Sequence, residues 1–408
     1  MKKSAAVIFT VFILGSADIF SQQVDTLIQN IINQTNLDSL THFVNLLSGE
    51  EECVLPDTTF TITSRNHSHP DNEMAAKYIK YQFEIFGLNV FEQSYSSSGK
   101  NIYAVQQGGV FPDKQFIICA HYDDMPSSPP APGADDDASG VAAVLEAARI
   151  LSSFNPDYTI IYAAWDEEEI GLYGSAFYAG QAFNNGDDIQ GVLNLEMFGW
   201  DGDNDGKIDV HTNDIGNSPE LADSLVAVNV TYNIGLNPVV YNPGTTSSDH
   251  SSFWQYGYGA VVFSEAYWGG DFNPYYHTSS DKIEHFNLGY FHKLSKLAVG
   301  TLASLSLGGI IVNTEVEKEI ELTFYLSQNY PNPFNPNTLM KYQIPELSFV
   351  TIKVFDVLGS KIVTLVNEEK QAGSYEVEFD ATSLPSGIYF YRLQAGSFVE
   401  TKKMVLVK

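Results

Sequence analysis

Two histidines and a set of carboxylates stand in this sequence where the chain leaves short apolar, β-rich runs. His121, Tyr122 and Asp123 follow the run 115–120, and Asp135, Asp136 and Asp137 stand immediately ahead of a helical pattern. Asp166, Glu167, Glu168 and Glu169 follow the run 158–164, Glu196 and Met197 follow 191–195, and His277 lies in a loop with Tyr275, Tyr276, Thr278 and Asp281. One or two aspartates at a helix start are ordinary caps, but three in succession exceed what a cap needs. Four carboxylates in a row repel one another without a cation and raise each other's pKa. Any one such His or acid is more often a surface or core residue; their joint placement at successive strand ends changes the reading. Imidazole nitrogen and carboxylate oxygen suit zinc, and two metals about 3.5–4 Å apart can share one bridging carboxylate. Neighbouring glutamates then provide one ligand and one free base, the logic of metal-assisted hydrolysis.

A second metal signal is Asp201, Asp203, Asp205, Gly206, Ile208 and Asp209, with oxygen ligands at alternate positions and glycine at the turn. Thr212 stands where a helix-loop-helix calcium sensor would need Glu, which leaves a structural calcium site or a merely acidic turn. Ser248, Asp249 and His250 are consecutive, so they cannot converge as nucleophile, base and orienter, and they read as support for the pocket. The sequence has no His-Glu-x-x-His helix, no Gly-x-Ser-x-Gly elbow and no phosphate-binding Gly-Lys loop.

The elements that must position these residues alternate between β and α. Strands are expected over residues 102–106, 115–120, 158–164, 191–195 and 260–264, and helices over 73–86, 139–152, 173–182, 219–228 and 291–306. In the second helix Val141, Val144, Leu145, Ala148 and Leu151 form one apolar stripe. This pattern predicts an α/β fold with a mostly parallel mixed sheet flanked by helices. Ligands of such sheets bind at the carboxyl ends of the strands.

The chain has 408 residues, too long for one ordinary domain, and 50 acidic against 21 basic side chains give a formal charge of −29. Such a charge excludes most nucleic-acid work and attracts metal ions or amines. The excess lies before Leu322, since the remainder carries eight acids and eight bases. Lys2 and Lys3, an apolar run over 5–14 and small residues after it have the order of a secretory signal, here 1–21, too short to span a bilayer. The apolar run 297–312 is interrupted by Gly and Ser and reads as a core helix. Cys53 and Cys119 allow one disulfide without requiring it, and Cys119 lies in an apolar run as a buried thiol. After a linker at 313–325 and a proline-dense segment, six alternating runs separated by turn signals predict a small all-β sandwich over 326–408.

Five ordered segments carry a family resemblance over residues 40–309: His121-Tyr122-Asp123, Ala131 to Gly140, Glu168 to Leu172, Ser248-Asp249-His250 and His277-Thr278. They resemble the co-catalytic two-zinc aminopeptidases of peptidase clan MH, relatives of glutamate carboxypeptidase and glutaminyl cyclase. The resemblance implies a zinc peptidase domain at 22–312 and an aminopeptidase with two zinc ions per chain. Asp136 would bridge, Glu169 and His277 would complete one site, and His121 and Glu196 the other. Glu168 becomes the general base, and Asp123 accepts the second ring N–H of His121. The family usually has Asp where this chain has Glu196, and the extra methylene must shift the backbone or alter the coordination mode. Met197, Phe263 and Tyr276 are candidates to line the substrate pocket.

The tail is similar to the sorting domain of type IX secretion cargo, through residues 326–337, Val354 to Gly359, Leu384 to Tyr389 and Lys402-Lys403-Met404. That resemblance implies a secreted or cell-surface protein recognised by the outer-membrane secretion machinery, with peptides as substrates. The alternatives are a carboxypeptidase or dipeptidase of the same fold, or a non-catalytic secreted binding protein. A carboxypeptidase needs a cation for the substrate carboxylate, and Arg65 and Arg149 are the only arginines before the tail.

Overall fold

The computed structural model describes residues 24–307 and most of 324–407; the expected signal segment and nearly all of the expected linker fall outside the described residues. The chain divides into two compact units, Met1–Val312 and Asn313–Lys408.

The first unit opens with helices α1 (Thr26–Ile32) and α2 (Leu37–Leu47) and a hairpin of β1 (Cys53–Leu55) and β2 (Thr58–Phe60). There follow α3 (Pro70–Ile85), β3 (Asn89–Ser94), β4 (Lys100–Gln106), β5 (Phe111–His121), α4 (Gly140–Leu151), β6 (Tyr158–Trp165), α5 (Tyr173–Asn185) and β7 (Asp188–Glu196). It closes with β8 (Lys207–His211), α6 (Ser218–Thr231), β9 (Asn237–Tyr241), α7 (His250–Trp254), β10 (Ala260–Glu265) and α8 (Leu288–Ser306). Eight strands form one mixed sheet in the order β3-β4-β6-β5-β7-β10-β8-β9. The central four, β6, β5, β7 and β10, run parallel, while β3–β4, β4–β6 and β10–β8 pair antiparallel.

Both faces of the central strands are buried, which is why their sequences are near-continuously apolar. Ile118, Ala120, Leu193 and Val261 join Val144, Leu145, Leu294 and Leu302 of α4 and α8 in the main core. Ile117, Cys119, Ile161 and Val192 face the other way, against Tyr178 and Ala179 of α5 and Phe253 of α7. Helix α8 is thus a core helix, and no helix among the described residues is long and apolar enough to cross a membrane. Cys53 and Cys119 are both free and buried.

Register sets the rim of the sheet. His121 pairs with Trp165, Cys119 with Asn194 and Ser264 with Glu196, so β5, β6, β7 and β10 end at nearly one level. Strand β8 was hidden in the acidic loop of the sequence. Its Ile208 and Val210 enter the core while Asp209 and His211 alternate to the opposite face.

In the second unit, β11 (Tyr325–Leu326), β12 (Asn337–Ile344) and β15 (Gly373–Asp380) form one antiparallel sheet. A second comprises β14 (Lys361–Lys370), β13 (Ser348–Phe355), β16 (Gly387–Ala395) and β17 (Phe398–Leu406). Met340 and Phe379 of the first pack with Ile352, Leu393 and Met404 of the second in a core of their own. The proline-dense segment runs along an edge, where Phe334 bridges Leu406 and Asn332 accepts from the Val405 N–H. Because each unit closes its own core, a chain truncated after Asn313 should unfold cooperatively with a Tm within about 2–4 °C of the first transition of the full chain. Calorimetry checks this; loss of the cooperative transition would show that the two units share stability.

Candidate metal centre and active-site cleft

The chain ends of β5, β6 and β7 bring the predicted residues together. His121 closes β5 and is buried, 1% exposed. Its Nε2 lies 3.1 Å from Asp136 Oδ1 and 3.4 Å from Glu196 Oε1, Glu196 being the last residue of β7. His277 Nε2 lies 3.1 Å from the other Asp136 oxygen, Oδ2, and 2.8 Å from Glu169 Oε2. Asp136 therefore turns one oxygen toward each imidazole. Glu168 and Glu169 sit on the turn after β6, and Glu168 lines the cleft beside Asp136 and Glu196.

The three consecutive aspartates divide their work. Asp135 is structural: its Oδ1 accepts from the Gly199 N–H at 2.6 Å and its Oδ2 from Asn273 Nδ2 at 2.7 Å. Asp137 Oδ1 accepts from the N–H of Gly140 at the start of α4 and from that of Met197. Only Asp136 projects its carboxylate between the two histidines, and its own N–H is held by Asp281 Oδ2 at 3.1 Å.

Asp123 does more than the sequence predicts. His121 Nδ1 lies 3.2 Å from the Asp123 backbone carbonyl and 3.4 Å from its carboxylate. That carboxylate also accepts from the N–H groups of Glu168 and Glu169, at 3.0 and 3.2 Å. One buried acid thus orients an imidazole on β5 and the glutamate turn after β6. Ser248 donates to Glu196 Oε2 at 2.6 Å and accepts from Asn194 Nδ2 at 2.7 Å, which leaves Glu196 Oε1 aimed at His121. His250, two residues on, donates its Nε2–H to the Thr245 carbonyl at 2.9 Å, and burial lowers its pKa to about 3.

Electrostatics and unmet valence point to a cation. Burial, with the Asp136 charge adding to it, raises the Glu169 pKa to about 8. Burial also raises Glu168 well above the usual range, and the charges of Glu196, Asp249 and Asp123 push the same way. Burial alone would lower His277, but the facing carboxylates of Asp136 and Glu169 outweigh it and raise it to about 10. Among the described residues Asp137 Oδ2 and Glu169 Oε1 are buried without a hydrogen-bond partner, and His277 Nε2 and Asp136 Oδ2, although close to each other, make no well-formed hydrogen bond. Ligand atoms of His121, Asp137 and Glu196 lie within 4.8 Å of one another, as do those of Asp136, Glu169 and His277. Dehydrated carboxylates and imidazoles left open in this way fit a zinc-like ion, whose charge offsets the desolvation that they otherwise carry. Asp137 in the first group escaped the sequence reading, because a helix cap already accounted for it.

The cleft above these groups, about 160 Å³ and open to solvent, is lined by Asp136, Glu168, Glu196, Met197, Ser248 and Tyr276, together with Thr245, Ser247, Tyr267, Trp268 and Phe272. Met197 and Tyr276 are where the sequence puts them. Phe263 is not: it is fully buried on the helix side of β10, its ring 5.4 Å from that of Phe198, because strand alternation turns it into the core. The aromatic residues just past the carboxyl end of β10 were the missed signal, since that strand end belongs to the same rim. In the acidic loop, Asp201 and Asp203 gather with Asp271. Asp205 instead pairs with Lys207, and Asp209 Oδ2 accepts from the Trp268 N–H at 2.7 Å, so neither joins that group.

Residues 101–302 match the model of peptidase family M28, and residues 328–408 that of the secretion system C-terminal sorting domain, which marks the chain for secretion. A probable zinc metalloprotease of Pyricularia oryzae is 41% identical over 117 residues, 28% of this chain and 23% of that protein. Leucine aminopeptidase 1 of Ajellomyces capsulatus is 28% identical over 213 residues, 48% of this chain and 54% of that protein. The chain thus spans about a quarter to about half the length of these curated relatives. In fold it is similar to the LapA aminopeptidase of Legionella pneumophila, with a TM-score of 0.61 and 23% identity over 72% of this chain and 78% of that one. The aminopeptidase from an Aneurinibacillus strain gives a TM-score of 0.56 and 17% identity over 68% and 96% of the two chains. With its His and carboxylate centre at the strand ends and its separate β unit, the chain belongs to peptidase family M28 and carries a secretion system C-terminal sorting domain.

Proposed function

We propose that the chain is an exported aminopeptidase that removes N-terminal residues from peptides with two zinc ions and a glutamate base. Asp136 would bridge the two ions, with Glu169 and His277 on one and His121 and Glu196 on the other. Zinc held there supplies the Lewis acidity that makes water a nucleophile at neutral pH and polarises a carbonyl. Glu168, free of ligand duty on the turn held by Asp123, takes the proton of the attacking water and returns it to the leaving amine. A structural calcium ion at Asp201, Asp203 and Asp271 and recognition of the tail by outer-membrane type IX machinery complete the proposal.

The observation that carries the choice of end is the charge of the cleft. Asp136, Glu168 and Glu196 line it, and none of its lining residues is basic. Arg65 is fully buried, and its guanidinium donates to the carbonyls of Leu47, Tyr122, Pro132 and Gly133. Arg149 is held by Glu146 on α4. No basic side chain of the cleft is therefore offered to a substrate carboxylate, which supports the amino end over the carboxypeptidase reading.

Purified enzyme should hold two zinc ions per chain by elemental analysis. Chelation should abolish turnover and lower the Tm by about 8 °C or more, since zinc at a thousandfold its Kd contributes about 4 kcal/mol. An unchanged Tm on chelation would remove the metal centre from the proposal.

Glu168→Gln should reduce kcat by about 10²–10⁴-fold while zinc content stays at the wild-type level, because the amide keeps the shape but accepts no proton. Retained activity, or lost zinc, would assign the base elsewhere.

Acetylating the substrate amino terminus should lower kcat/KM by about a hundredfold or more, the effect of leaving buried carboxylates without their ammonium. Comparable cleavage of blocked and free peptides would turn the assignment to the other peptide end.

A further inference from the structure

Strand β8 carries two side chains that the metal centre does not use. Asp209 and His211 are fully buried on the face opposite Ile208 and Val210, and burying a carboxylate and an imidazole costs free energy unless they are engaged. Both reach into loops that line the cleft. Asp209 Oδ2 accepts from the Trp268 N–H at 2.7 Å, and His211 Nδ1 accepts from the Thr245 N–H at 3.3 Å. The His211 ring lies stacked between Tyr241 and Tyr267, at 5.0 and 5.3 Å, with Trp268 edge-on at 4.7 Å. The loop after β9 packs directly on it, since a Cβ at Gly244 would fall 2.5 Å from that of His211.

What this platform holds is an aromatic surface left open. Trp268 is 50% exposed and Phe272 45%, although the Trp268 backbone is pinned. Phe272 meets Tyr276 edge-on at 4.9 Å, and Tyr276 stacks on His277 at 3.6 Å, so ring contacts reach the metal-facing imidazole itself. On the aminopeptidase reading, a first residue seated at the metal centre would extend its side chain along this wall. Flat rings gain face and edge contacts there beyond what an aliphatic chain of similar area gains.

Resting on the aminopeptidase reading, we propose that Trp268 is a specificity-determining residue that selects peptides with an aromatic first residue, and that Asp209 and His211 are positioning residues that hold its wall in place. The test is kcat/KM on phenylalanine, leucine and alanine p-nitroanilides, with zinc content measured for every variant. Wild type should prefer phenylalanine over leucine, and Trp268→Ala should lower the phenylalanine-to-alanine ratio about tenfold at unchanged zinc content. Asp209→Ala should lower that ratio in the same way, and the double variant no further. Asp209→Asn, whose amide oxygen still accepts the Trp268 N–H, should restore most of it. A wild type that prefers leucine, a ratio unmoved by Trp268→Ala, or an Asp209→Ala that slows all three substrates equally would overturn this inference while leaving the aminopeptidase reading intact. A wild type inactive on every amino-terminal substrate would overturn both.

Discussion

The structure is organised around buried negative charge. Asp136, Glu169 and Glu196 converge with His121 and His277 at the rim of the sheet, and several of their polar atoms make no hydrogen bond among the described residues. Bringing carboxylates together out of water is costly, and without a cation they must take up protons instead, as the raised pKa of Glu169 records. Metal binding exchanges those protons for an ion and couples the site to folding stability.

Most of the surrounding polar network exists to hold that centre in shape. Arg65 ties together carbonyls at positions 47, 122, 132 and 133, on either side of His121 and ahead of Asp136. Asp123, Asp281 and Ser248 each hold a residue of that cluster or the peptide next to one. Left-handed backbone at Glu167, Met197 and His277, all non-glycine, clusters at the same rim, as strained conformations do at functional sites. The departure at Glu196 is absorbed here: its longer side chain reaches His121 with one oxygen while Ser248 holds the other.

The β unit obeys a different balance. From Leu322 on its acids and bases are equal in number, and its two sheets close a core of their own. That independence suits a segment whose role is export and not chemistry.

The central strands, the helices α3 to α6 and α8, and the set of His, Asp and Glu side chains that converge at the rim were legible in the sequence, because period and composition are local properties and these residue types stand out beside apolar strands. Less legible were β8 and the roles within the acidic runs. Asp205 and Asp209 share a calcium-like spacing with Asp201 and Asp203, yet Lys207 takes one and the Trp268 N–H the other. Phe263 had the right composition for a pocket, but strand alternation turned it into the core. The sequence by itself determined which groups could bind metal and which segments would be strands. Only the tertiary structure decided which oxygen faces which nitrogen, because that depends on the register of strands far apart in the chain and on distant partners such as Asp123 and Ser248.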